Sequence, residues 1–173
     1  MKTIVIYHSQ TGFTKRYAKW IADAAGADCL DLSEAKKKNL DKYDAIIFGG
    51  FACAGSISKL GWFKSHIEQW ADKKLIAFCV GASPIDSPDI EPALKQNFNE
   101  TQWKKVTVFY CPGGLNYERM SVPSRLMMKL FLKTLDAKKD KTEAEQEMVK
   151  MITASYDISD KQYIEPILNC LNE

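Results

Sequence analysis

The sequence predicts an α/β fold, a doubly wound parallel sheet of five strands with helices on both faces. Three observations predict it. Four continuously apolar, β-favouring runs recur at Thr3–Tyr7, Asp44–Phe48, Leu75–Val80 and Val106–Cys111, as expected of strands covered on both sides. Segments of helical periodicity lie between them, and such β-α alternation indicates a parallel sheet. The first run stops at a hydroxyl-rich turn, Ser9-Gln10-Thr11-Gly12-Phe13-Thr14, where a helix begins.

The first strand feeds a helix over about Thr14–Ala25. Tyr17, Ala18, Ile21, Ala22 and Ala25 recur there at helical spacing, and Gly26 is a natural stop. A weaker strand follows at Ala27–Leu32. A second helix is expected between Ser33 and Lys42, with Lys36-Lys37-Lys38 as a solvated face. Strand Asp44–Phe48 leads through Gly49–Ser56 to a third helix, Leu60–Ala71, striped by Trp62, Phe63, Ile67 and Trp70. Beyond strand Leu75–Val80, a fourth helix near Pro88–Asn99 shows Ile90, Leu94 and Phe98. Strand Val106–Cys111 closes the alternation. An apolar and basic helix, Ser124–Leu135, and a charged, helix-prone stretch, Lys138–Met151, follow it. Residues 1–173 read as a single domain, long enough to bury a sizeable core.

Composition narrows the function classes. The chain is 46% apolar and 27% charged, which argues against disorder, and its net charge of +2 does not by itself point to nucleic acid. No apolar run approaches the roughly 20 residues of a membrane span. The N-terminus enters a strand directly, without a secretory leader pattern. Five cysteines, at 29, 53, 79, 111 and 170, form no C-x-x-C pair and read as reduced thiols of a cytoplasmic protein. A structural zinc site is not expected.

The turn at 9–14 has the layout of a phosphate cradle. Backbone N–H groups at a helix start, with three hydroxyls from Ser9, Thr11 and Thr14, suit one anion, and Gly12 permits close approach. Gln10 and Phe13 are expected to contribute through their amides. A single Ser or Thr here would equally be a helix cap. Neither G-x-x-x-x-G-K-[ST] nor G-x-G-x-x-G is present, so the triphosphate and dinucleotide fingerprints are absent. Without a Ser/His/Asp order or a carboxylate pair, hydrolysis lacks support. The ends of strands 1 and 3, counting the weaker strand as the second, read Tyr7-His8-Ser9 and Phe48-Gly49-Gly50 and lack the acidic residues of a phospho-receiver. His8 reads more readily as a hydrogen-bonded structural histidine than as a base, and His66 as a surface residue.

Ser9-x-Thr11-Gly12-x-Thr14 after a first strand resembles the FMN phosphate loop of flavodoxins. The resemblance implies strand order 2-1-3-4-5, with FMN beyond the carboxyl ends of strands 1, 3 and 4. It assigns Ser9, Gln10, Thr11, Gly12, Phe13 and Thr14 to the phosphate. The loop Gly50, Phe51, Ala52, Cys53, Ala54 and Gly55, and the loop Gly81, Ala82, Ser83 and Pro84, are assigned to the ring. A backbone carbonyl of Ala54 or Gly55 would then lie near the flavin N5. Phe51 either lies against the ring or packs in the core. Cys53 is either a redox thiol or a small hydrophobe beside the ring.

The chain also resembles a narrower branch, the flavodoxin-like menaquinone-dependent protoporphyrinogen dehydrogenases. Tyr43-Asp44, Gly55, Gly114-Leu115-Asn116-Tyr117 and helix Ser124–Leu135 carry that resemblance, while Lys138–Met151 has no clear counterpart. It implies an FMN-dependent oxidoreductase passing electrons to or from a quinone or porphyrinogen-like substrate. The other reading is a soluble flavodoxin carrying electrons between protein partners. Its weakness is the near-neutral charge, since steering comes from a strong field. A flavin-free binding module on the same fold is a third.

Between Arg119 and Lys139 six basic residues face one acid, Asp136. Arg125, Lys129 and Lys133 recur every fourth residue among Leu126, Met127, Met128, Leu130, Phe131, Leu132 and Leu135. Exposed, the segment 119–135 would contact a subunit, an apolar substrate or the inner face of the membrane. Buried, it would simply cover the sheet.

Overall fold

The apolar runs pair as a parallel sheet. The computed structural model describes residues 1–173, the side chain of Ala144 excepted. Strand β1 (Thr3–Tyr7) leads to helix α1 (Phe13–Ala25), β2 (Asp28–Asp31) and a single helical turn, α2 (Leu32–Ala35). Next come β3 (Ala45–Cys53), the short β4 (Ser56–Ile57), α3 (Leu60–Lys64), β5 (Lys74–Gly81), α4 (Ile90–Lys95), α5 (Glu100–Lys105) and β6 (Val106–Pro112). The main order is β2-β1-β3-β5-β6. These are the five expected strands in the expected order, with β4 added as a hairpin arm on β3. Val5 pairs with Cys29 on one side and Ile47 on the other, and Ile47 pairs with Ile76.

Alternate residues of each strand serve opposite layers. Ile4, Ile6, Ile46, Phe48, Ala77 and Cys79 face the layer that holds Phe63, Ile67, Trp70 and Leu94. Val5, Ala45, Ile47, Ile76, Phe78 and Val80 face α1, through Tyr17, Ala18, Ile21 and Ala22. Burial on both faces is why these runs lack polar alternation.

After β6 the chain makes an excursion. It runs through β7 (Gly114–Leu115), α6 (Val122–Asp136), α7 (Glu143–Ile152) and β8 (Tyr156–Asp157), which pairs antiparallel with β7. A 3-10 turn at Lys161–Ile164 then leads into α8 (Glu165–Asn172), whose Ile167 and Leu171 are buried in the α1 layer.

The helices are shorter than their periodicity implies. The third stops at Lys64 and continues as turns. The Ser65 hydroxyl donates to the Trp62 carbonyl at 2.8 Å, and His66 Nδ1 lies 2.7 Å from the same oxygen, so side chains compete for a helical acceptor. The fourth, expected near Pro88–Asn99, stops at Lys95, and α5 beyond it is an additional helix. Asn97 Nδ2 takes the Ala93 carbonyl at 2.6 Å, and Asn99 starts a new helix with a capping box to Gln102. His66 is not a plain surface residue: it stacks on Trp70 with ring centroids 4.8 Å apart.

Candidate functional site

The loops after β1, β3 and β5 lie at the carboxyl edge of three adjacent strands, because parallel pairing brings those ends together. In the first, His8 N donates to the Gly49 carbonyl at 2.8 Å, fixing the exit from β1 against β3. The Ser9 hydroxyl accepts from Gly12 N at 3.2 Å, so it closes the turn itself. Gly12 has φ of +106°, a conformation that an L side chain strains to adopt. Helix α1 begins at Phe13 with the Arg16 N–H donating to the Gly12 carbonyl at 3.0 Å. The N–H groups of Phe13, Thr14 and Lys15 therefore have no intrahelical acceptor.

Thr14 is only 1% exposed, yet its hydroxyl has no hydrogen-bond partner among the described residues. No fully buried side-chain oxygen or nitrogen among them is left unpaired, so the residual exposure lies at that hydroxyl. Gln10 turns outward. Its Nε2 donates to the Ser121 hydroxyl at 3.2 Å, and the Ser124 hydroxyl donates to its Oε1 at 3.1 Å. The start of α6 is thereby tied to this loop.

Gly49 to Cys53, expected as loop, instead continue β3, which pairs with β5 as far as Phe51 and turns into β4 through Ala54 and Gly55, both at positive φ (48° and 77°), the arrangement of a tight two-residue hairpin. The Gly55 carbonyl accepts from Gln96 Nε2 at 2.7 Å and Asn97 Nδ2 at 3.0 Å. Of the two carbonyls expected near a ring, Gly55's is thus engaged by α4 and its flank, and Ala54's remains. Gly50 is required by packing, because a Cβ there would sit 2.6 Å from the Ser58 carbonyl. Phe51 is half-buried, outside both core layers, with its ring 5.6 Å from that of His8. Burial, with Lys59 adding to it, holds the His8 imidazole below its ordinary value, so the ring is neutral near pH 7. Cys53 is half-buried and Ala52 exposed.

Tyrosines hold the third loop. Tyr156 donates to the Ala82 carbonyl at 2.6 Å and Tyr110 to the Ser83 carbonyl at 2.9 Å. Burial pushes the Tyr156 phenol up to about 12 and raises Tyr110 further, so both remain donors. Gly81 admits the Tyr110 ring, whose hydroxyl would be 2.5 Å from a Cβ there. Ser83 is half-buried and Pro84 exposed.

Beside the first loop opens a groove of about 720 Å³, lined by Thr11, Gly12, Phe13, Lys15, Arg16, Lys19, Leu115, Asn116, Arg119, Ser155, Tyr156 and Asp157. Arg16 is committed to Asp157 and to the Ser159 hydroxyl at 2.6 Å. Burial pushes the Asp157 carboxyl up, but hydrogen bonds from Ser159 and Arg16 outweigh it and hold the group below the ordinary range. Arg119 Nη1 would lie 3.3 Å from a Cβ at Gly12. Charge counting along the sequence includes Arg119 in the basic segment, but only the fold brings it over the loop. Tyr110, Tyr156, Gln96 and Asn97 were likewise without a signal in sequence, since each acts on a backbone atom of a distant loop.

Helix α6 stands on the surface, with none of its residues buried. Val122 is 77% exposed, and Leu126 and Leu130 are each 57% exposed. Among the described residues no His/Cys/Asp/Glu group is placed to hold a metal ion, and no helix is long and apolar enough to cross a membrane.

The chain is similar to several solved structures. A flavoprotein in complex with FMN from Lactobacillus acidophilus NCFM is 18% identical over 64% of this chain and 91% of its own, with a TM-score of 0.44. A WrbA-like flavodoxin from Agrobacterium tumefaciens is 21% identical over 87% and 94%, with a TM-score of 0.42. Oxidised flavodoxin 2 from Bacillus cereus is 20% identical over 64% and 84%, with a TM-score of 0.40. No curated protein matches the chain. The family model described as Flavodoxin domain matches residues 4–143, from Ile4 of β1 through β6 and α6 and including all three loops, and the chain belongs to that family.

Proposed function

We propose that the chain binds FMN at the ends of β1, β3 and β5 and works as an FMN-dependent oxidoreductase on a quinone-like or similarly large apolar molecule. The observation that carries the cofactor is the first loop. Its glycine is at positive φ, its helix N–H groups are free of intrahelical partners, and its buried Thr14 hydroxyl is left for something other than protein. That donor set fits a phosphate monoester, which needs N–H and O–H donors around several oxygens.

Bound FMN supplies redox chemistry that no side chain has. The chain's part is to bind and orient. Thr11, Gly12, Phe13 and Thr14 would hold the phosphate, while Phe51 to Gly55 and Gly81 to Pro84 would flank the ring. Tyr110 and Tyr156 fix the second flank by holding its carbonyls, and Gln96 and Asn97 fix the first. The Ala54 carbonyl is the acceptor available for a ring N–H. His8, neutral and beside Phe51, is placed to interact with a ligand without adding charge.

The substrate class rests on α6. Its outer surface carries Leu126, Met127, Leu130 and Phe131 beside a row of Arg125, Lys129 and Lys133. An apolar arc flanked by cations fits an apolar substrate reached at a lipid surface with acidic headgroups. Titration of the protein into FMN, followed by flavin fluorescence, tests the cofactor and is expected to saturate. Turnover of a quinone by the FMN-loaded protein with a chemical reductant tests the substrate. Saturable FMN binding without quinone turnover would leave electron exchange between proteins as the function.

A further inference from the structure

We propose that Arg119, carried by the excursion after β6 and outside the first-loop motif, is a cationic clamp on the phosphate of the bound flavin. The inference rests on the FMN reading above and adds a residue that the loop itself does not contain. Every group the loop offers an anion is neutral: helix N–H groups and the hydroxyls of Thr11 and Thr14. A phosphate monoester carries about −1.5 to −2 charge near pH 7, so neutral donors leave most of it uncompensated.

Arg119 stands where that charge would fall. Its Nη1 would lie 3.3 Å from a Cβ at Gly12, so the guanidinium covers the residue that gives the loop its opening. The main chain holding it is fixed on both sides. On one side, Arg119 N donates to the Asn116 carbonyl at 3.2 Å and to Asn116 Oδ1 at 3.0 Å, and Tyr117 N donates to the Ser155 hydroxyl at 3.0 Å. On the other, Ser121 and Ser124 are bonded to Gln10, a residue of the loop itself.

The guanidinium has no carboxylate or other hydrogen-bond partner among the described residues. The adjacent carboxylate, Glu118, is turned away and accepts from the Ser155 hydroxyl at 2.8 Å. The other guanidinium near the turn, Arg16, is taken by Asp157 and Ser159 and lies over the rings of Phe13 and Trp20, while Lys15 and Lys19, which also line the groove, carry ammonium groups on exposed side chains. Arg119 is therefore the uncommitted guanidinium beside the loop, and the cation whose head group lies against Gly12. Its planar fork matches two phosphate oxygens at once, which an ammonium does not.

The test compares FMN with riboflavin, which has the same ring and no phosphate. Dissociation constants of both are measured by flavin fluorescence for the wild-type chain, Arg119→Gln and Arg119→Lys, at low and high salt. The clamp requires Arg119→Gln to weaken FMN about tenfold, with riboflavin unchanged and the salt dependence of FMN binding reduced. Arg119→Lys is expected to recover part of the loss. An unchanged FMN-to-riboflavin ratio in Arg119→Gln overturns the clamp while leaving the cofactor intact, and so does an equal loss for both flavins. Failure of the wild-type chain to bind FMN removes the cofactor reading and the clamp with it.

Discussion

In the first loop Gly12 supplies the conformation, and Thr14 is the hydroxyl proposed to donate to the phosphate. At φ of +106° with Arg119 alongside, Gly12→Ala is expected to cost about 1–3 kcal/mol of stability and to weaken FMN, read by thermal unfolding and by titration. Thr14→Val removes only a hydroxyl that no protein group uses. Its expected signature is different: little change in the apo unfolding midpoint, and FMN weakened by about 1.5–3 kcal/mol, the range for a hydrogen bond to a charged group. His8 gives a pH-dependent readout. Burial and Lys59 depress its folded value, Lys36 acts in the same sense, and Asp31 opposes them. The unfolded chain therefore binds more protons than the fold as pH drops below about 6.5. The stability from His8 is complete above that value and lost as pH falls towards the folded one. His8→Gln should flatten this slope between pH 7.5 and 5.5, seen as a wild-type-minus-variant difference in unfolding midpoint.

The elements differ in how plainly the chain announces them, for physical reasons. Parallel strands buried on both faces need continuous apolar runs, so β1 and β5 were legible to within a residue, as was the edge strand β6, while β3 was legible at its start but runs on through Cys53 into residues read as loop; α1 was legible from Tyr17, Ala18, Ile21 and Ala22 on one face. Ser65, His66 and Asn97 shortened helices through side-chain bonds that periodicity does not report. The two-residue strands β7 and β8 have no period to detect. Helix α8 is eight residues long, and its packing against α1 depends on a return path the sequence does not display. In the site, the loop after β1 was legible because it is contiguous. Its supports were not, since the Tyr156 bond to Ala82 spans 74 positions. Packing between elements is just as unforgiving. At Gly49 a Cβ would fall 2.1 Å from the Phe78 ring between β3 and β5. Gly49→Ala is expected to destabilise by about 1–3 kcal/mol or more, as overpacking does, with a lower urea midpoint as the measurement.

On the scale of the molecule, the nearly balanced charge hides an uneven distribution. A net charge of +2 gives no long-range field strong enough to select partners by steering. The excursion after β6 concentrates cations instead: Arg119 over the first loop, and Arg125, Lys129 and Lys133 along α6. The apolar arc beside that row is large for a surface helix. Leu126 and Leu130, both 57% exposed, gain nothing from the rest of the fold that would explain them. Because Gln10 ties Ser121 and Ser124 to the loop after β1, the helix is held next to the proposed cofactor site, and a molecule drawn from a lipid surface would arrive there. This predicts that the protein sediments with vesicles containing phosphatidylglycerol, less with phosphatidylcholine alone, and less again as salt is raised, because each cation near an acidic surface contributes about 1 kcal/mol that salt screens. Leu126→Gln with Leu130→Gln should release it from the vesicles while leaving the unfolding midpoint and FMN affinity unchanged, since neither side chain supports the fold. Equal sedimentation with acidic and neutral vesicles, or none with either, would remove the lipid surface from the account and return α6 to contact with protein.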